Sequence, residues 1–296
     1  MQWRWKQLRW VLVRAAVVCG LGCAGSTSAH ASTIQNREFR TSDGIRLHYL
    51  EAGQGEPTLV FVPGWLMPAR IFEAQLVALS ARHRVVVLDP RSQGESELYA
   101  GPHTAVRRAA DISEFVAEVK PVSFVLVGWS LGVMEGLDYV ERFRPTALRG
   151  LVLVDNSIGE ASPPKPATSA STVQKVPQSR TERLRAFVRG LFAHTPPDAL
   201  LRLVEASVLR VPAAVAAELL AKPYSREYYK NAIYRAQVPV LYAIRPRLAD
   251  QGAALKAHLP ESQVTLYPNA GHALFVDEAL DFNADLERFL DKLPTS

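Results

Sequence analysis

The chain has 296 residues, 48% of them hydrophobic, with 34 basic and 29 acidic side chains. That apolar content is enough for one substantial core with a small accessory layer, and it excludes a disordered or repetitive chain. Four basic residues and no acidic ones fall in the first 31 positions, which leaves 30 against 29, a net of +1, and gives no reason to expect a nucleic-acid partner.

Those first residues form a unit of their own. Arg4, Lys6 and Arg9 precede the short apolar stretch "VLVRAAVVCGLGCAG", broken only by Arg14, and Ala29-His30-Ala31 supplies the small residues of a cleavage site. The pattern predicts a signal peptide over 1–31, cut after Ala31, and an exported chain that is periplasmic or secreted. An uncleaved anchor is the competing reading, but the apolar run is shorter than the ~20 residues a span needs, so no stable membrane insertion is expected once the leader is removed. Lipidation at Cys23 is disfavoured by Gly20, where a bulky aliphatic residue is wanted. Cys19 and Cys23 are the two cysteines of the chain, and both lie in the leader, so the mature protein has no thiol for a disulfide, a metal site or a nucleophile.

The segments 37–41 and 45–53 read as strands around the turn Ser42-Asp43-Gly44. "TLVFVPGW" (58–65) is a continuous apolar run, the mark of a strand buried on both faces. A helix with Ile71, Leu76 and Leu79 on one face follows, then a strand (84–89), a helix (104–120), a strand (122–129), a helix (131–143) and a strand (148–155). This alternation predicts an α/β fold with a doubly wound, mostly parallel sheet. The rhythm then breaks at "GEASPPKPATSASTVQKVPQS", which has a linker composition. A helix with Leu184, Phe187, Val188, Leu191 and Phe192 on one face comes next, with further helices around 197–208, 212–222 and 225–235. Its basic rim, Arg183, Arg185 and Arg189, reads as a solvated face. Strands resume at 238–244 and 262–268 around a helix (250–258), and one last helix closes the chain. The expected organisation is a core over 32–157, an inserted helical cap over 158–236 and the rest of the core over 237–296. Such a cap covers the carboxyl ends of the strands, where open α/β sheets bind ligands.

The chemistry centres on Gly128-Trp129-Ser130-Leu131-Gly132. A strand, a sharp turn and a helix around G-x-S-x-G form a nucleophile elbow, which projects the serine hydroxyl above the sheet. Glycines on either side are required because side chains there would strike the neighbouring strand and helix. A structural serine capping a helix is the bland alternative. A serine needs a base, and His272, in the loop "YPNAGHALFVDE" before the last helix, is the best placed. The expected chain order is nucleophile, acid, histidine, and two aspartates between Ser130 and His272 are candidates: Asp155, closing "GLVLVDNS", and Asp250, in "RPRLADQG". Asp155 competes with the reading of an unused loop aspartate, and Asp250 with that of a helix N-cap.

"FVPGW", "VLDPRSQGES", "GWSLG" and "NAGHALFVDE" stand in the order and spacing of the α/β-hydrolase superfamily, and residues 35 to 294 resemble its capped serine esterase/lipase-like branch. The resemblance implies an α/β-hydrolase fold and two-step acyl transfer, with Ser130 as nucleophile, His272 as base and the amides of Trp65 and Leu131 as oxyanion hole. Pro63-Gly64 replaces the family's usual His-Gly, and Ser92 replaces a glycine in a turn that is structural in the family. The usual acid slot falls on Leu248, which cannot orient a histidine. Asp155 is therefore the preferred acid and Asp250 the alternative, because some members place the acid after the earlier strand. The implied substrate is a small to medium, moderately hydrophobic ester, and no metal or organic cofactor is implied. A lactonase, a C–C hydrolase, a cofactor-free haloperoxidase or perhydrolase, and a non-catalytic ligand-binding member are the alternatives. Oligomeric state is left open.

Overall fold

The computed structural model describes residues 33–162, 179–221 and 223–294. The expected signal peptide, its cleavage site and both cysteines lie outside the described residues. Among the described residues eight strands form a single sheet: β1 (Gln35–Arg40), β2 (Arg46–Ala52), β3 (Thr58–Val62), β4 (Val85–Leu88), β5 (Phe124–Trp129), β6 (Leu148–Val154), β7 (Val240–Ile244) and β8 (Gln263–Leu266), in the spatial order β1-β2-β4-β3-β5-β6-β7-β8. β1 pairs with β2 and β2 with β4 antiparallel, and every other pair is parallel. The expected doubly wound, mostly parallel sheet is thus present. β3, β4 and β5 are buried along their whole length, as their unbroken apolar runs require.

Successive strand residues supply two separate cores. Phe61, Val87, Val127 and Val154 face one side, where α1 (Glu73–Leu79) and α10 (Ala279–Leu290) pack. Val60, Val86, Leu126 and Leu153 face the other, against α2 (Ala105–Val119), α3 (Leu131–Phe143) and α8 (Ala249–His258). Of the segment expected as a cap, α4 (Arg180–Arg189), α5 (Asp198–Arg210) and α6 (Ala213–Leu219) continue the first core through Leu184, Val188, Val204, Val208 and Leu219. The last expected cap helix, α7 (Arg226–Ala236), instead buries Tyr229, Ala232 and Ile233 in the second core and packs on α3. The chain's last helix, expected as one, is two, α9 (Leu274–Asp277) and α10, because Glu278 leaves helical geometry at φ −120°, ψ 51°. Among the described residues no helix is long and apolar enough to cross a membrane.

Beneath the sheet, Arg108 of α2 meets Glu135 of α3 at 2.7 Å, both nearly fully buried. Burial pushes the Glu135 carboxyl from 4.5 up to about 7, with Arg108 holding it back in part. A buried acid whose folded value is raised binds more protons folded than unfolded. Its contribution is therefore present below pH ~4.5 and lost as the pH rises through ~7. Glu135→Gln should flatten the fall in stability across this window, where the wild type loses on the order of 3 kcal/mol from this group. Urea titrations at pH 5 and pH 8 measure it, and an identical pH slope in both proteins would count against the assignment.

Candidate active site

β5 ends at Trp129 and α3 begins at Leu131, so Ser130 alone makes the turn. It does so at φ 53°, ψ −119°, a strained conformation for a residue with a side chain. Three hydrogen bonds hold it there. The Ser130 amide donates to Val154 O at 3.0 Å, and its carbonyl accepts from Asn156 Nδ2 at 2.7 Å and from the Val133 amide at 3.0 Å. The flanking glycines have the steric reason expected of them. A Cβ on Gly128 would lie 2.6 Å from Gly132 O, and one on Gly132 would lie 2.1 Å from Val62 O of β3. The serine stands at the N-cap position of α3, but its side chain makes no cap hydrogen bond.

His272 reaches the serine from the loop after β8. Its Nε2 lies 2.8 Å from Ser130 Oγ, and its Nδ1 lies 2.6 Å from Asp155 Oδ2. Asp155 is completely buried and follows β6 at φ 45°, where its amide donates to Ala243 O of β7 at 2.9 Å. That left-handed turn aims the carboxylate along the sheet edge toward the histidine. Asp250 sits elsewhere, exposed on the first turn of α8, where a negative charge suits the helix dipole. It is not the N-cap either, since Leu248 takes that place. The structure thus brings Ser130, His272 and Asp155 together and leaves Asp250 out.

The histidine loop is fastened at several points. Trp129 Nε1 donates to His272 O at 2.9 Å, and the indole packs edge-on against Phe72 and Phe275 with almost no exposure. The Trp129 indole thus packs beneath the elbow. Asp277 accepts from the Gly271 amide at 2.8 Å and, with the same carboxylate, from the amides of Ala193 and His194 in the loop after α4. The Ala273 amide donates to Leu191 O at 2.8 Å. Nothing in the sequence singled out Asp277. Its only signal was the repeated acid in "FVDE".

Leu131 is the first residue of α3, so its amide has no partner within the helix. Trp65 follows Gly64, whose Cβ position is 3.0 Å from Ser130 Cβ, so the backbone after β3 passes beside the serine. The Trp65 side chain meets α6 and α4, where Nε1 donates to Ala216 O at 2.8 Å and the ring meets Phe187 edge-on.

The turn after β4 is structural. Asp89 accepts from the amides of Ala69 and Glu95 and pairs with His48 Nδ1 at 2.7 Å, and Arg91 is buried between Asp43 and Asp111. Ser92, in place of a glycine, meets His103 Nε2 at 2.9 Å, and His103 Nδ1 meets Glu218 of α6 at 3.3 Å. Ser92 and His103 are buried, burial pushes the His103 imidazole value down while Glu218 partly offsets it, and the contacts tie the turn after β4 to α6. Among the described residues no cluster of three or more His, Cys, Asp or Glu could hold a metal ion.

Residues 59–286 match the model of the alpha/beta hydrolase family. The chain belongs to that family. It is 25% identical over 245 residues to the pimeloyl-[acyl-carrier protein] methyl ester esterase of Nitrosomonas europaea, an alignment covering 78% of this chain and 94% of the relative. Among solved structures, an esterase from a Rhodococcus species superposes with a TM-score of 0.71 at 22% identity, covering 88% of this chain and 99% of that one. A bromoperoxidase from Bacillus anthracis gives 0.73 at 19% identity, covering 87% and 100%.

Proposed function

We propose that the protein is a serine hydrolase that cleaves small to medium, moderately hydrophobic carboxylic esters through an acyl-enzyme. One observation carries the reading: His272 bridges Ser130 Oγ at 2.8 Å and a buried Asp155 carboxylate at 2.6 Å. Asp155 holds the Nδ1–H tautomer, which leaves Nε2 free to accept the serine proton. Ser130 Oγ then attacks the ester carbonyl, and the oxyanion forms toward the amides of Leu131 and Trp65. The imidazolium returns its proton to the leaving alcohol, and water repeats the cycle to release the acid. The esterase relatives support ester chemistry. The partly buried Trp65, Leu131, Phe187 and Phe192 around the cap junction support an apolar acyl group.

A fluorophosphonate probe tests this directly. The expected result is one covalent adduct, mapped to Ser130 by mass spectrometry, on a protein that also hydrolyses p-nitrophenyl esters of short and medium acyl chains. An unlabelled Ser130 with no turnover across that panel would overturn the proposal in favour of a non-catalytic member of the fold.

A further inference from the structure

We infer that Arg245 is a positioning residue of this site, clamping Asp155 and the edge of His272 together. The inference rests on the ester-hydrolase reading of the same residues. β6 and β7 run parallel, with Val154 opposite Ala243, so the residues just beyond each strand, Asp155 and Arg245, emerge side by side. Arg245 grips the carboxylate twice. Its amide donates to Oδ1 at 3.1 Å, and its Nε donates to Oδ2 at 2.7 Å. With His272 Nδ1 also on Oδ2, the buried carboxylate has three donors in fixed directions.

The guanidinium also touches the imidazole. Arg245 Nη2 lies 3.4 Å from His272 Nδ1. Both atoms are donors once Nδ1–H points at Asp155, so this contact is packing rather than a hydrogen bond. The opposite tautomer would let Nη2 donate to Nδ1, but it would set the imidazole lone pair against a carboxylate oxygen 2.6 Å away. The short distance decides for Nδ1–H. Arg245 is about a quarter exposed, whereas Asp155 is not exposed at all. Without the arginine side chain, a fully buried carboxylate would keep only one amide and the histidine, and a buried charge so weakly held reorients or draws in water. A solvated surface arginine would have neither the two-point grip nor the contact with the ring.

The test uses Arg245→Met and Arg245→Lys in the full-length protein, with a p-nitrophenyl ester and with 15N spectra of the imidazole. Arg245→Met should lower kcat by about 10- to 100-fold with KM within about two-fold, because the loss falls on orientation rather than on substrate binding. Arg245→Lys, which keeps a cation against Asp155, should recover most of that loss. The 15N spectrum of His272 should show the Nδ1–H tautomer in the wild type and a mixture in Arg245→Met. A rise in KM with kcat unchanged would make Arg245 a substrate-binding group and overturn the inference. So would an unchanged tautomer in Arg245→Met, or a kcat loss matched by the fraction unfolded in circular dichroism. If the wild type neither turns over esters nor takes the phosphonate label, the hydrolase reading fails on its own, while the tautomer of His272 still decides the role of Arg245.

Discussion

Asp155→Asn is expected to lower kcat for ester hydrolysis by about 10⁴-fold, while Asp250→Asn stays within about two-fold of the wild type. The asparagine keeps the shape of the side chain but offers an amide where a carboxylate oxygen had accepted from His272 Nδ1. The ring then favours the tautomer with hydrogen on Nε2, which points a donor at Ser130 Oγ and leaves no base. The elbow and the amides of Leu131 and Trp65, proposed as the oxyanion hole, are untouched, so a residual rate above the uncatalysed reaction should persist. Asp250 is exposed at the start of α8, and losing its charge removes a small helix-dipole interaction. Steady-state kinetics on both variants, with thermal melts to establish folding, separate the two acids. A reversed pattern would remove Asp155 from the mechanism.

Gly132→Ala should cost the fold about 3 kcal/mol or more and lower the melting temperature on the order of 10 °C. The new methyl would sit 2.1 Å from Val62 O and 2.7 Å from Pro63 O. These are backbone atoms of β3 and its following turn, which cannot swing aside as a flexible side chain would. Relief requires α3 to move off β3, and α3 begins at the serine, so activity should fall with stability. Differential scanning calorimetry with parallel ester kinetics checks both. By contrast Gly44→Ala, whose added methyl meets nothing within 4 Å, should show only the modest strain of its positive φ. If Gly132→Ala melts like the wild type, the close approach of α3 to β3 is not what requires glycine here.

Much of this arrangement could be read from the residues. The unbroken apolar runs at 58–62, 85–88 and 124–129 announced buried parallel strands, because a strand covered on both faces has no polar side to alternate with. Ser130 and His272 were legible because their neighbours are constrained: glycines where helix and strand nearly touch, and a loop between a strand and the last helix. The acid was harder, since Asp155 and Asp250 each follow a sheet strand and each has an ordinary structural use. Choosing between them needs the left-handed turn at Asp155 and the register of β6 on β7, neither of which leaves a local mark. Arg245 carries no local mark in the sequence, since its partner lies 90 positions earlier in the chain. The break at Glu278 and the packing of α7 on the second core were equally invisible. Both segments are amphipathic, and periodicity gives the width of an apolar face, not the layer it meets.

The division of strand side chains between two cores carries a consequence for how such a chain can change over time. Deleting one residue inside β5 would send Leu126 and Val127 to each other's hydrophobic compartment and turn the hydroxyl at the strand's end away from His272. Growth and shrinkage during descent are therefore tolerable in the connecting segments but not within the central strands, whose residue count acts as a fixed ruler for the reacting atom.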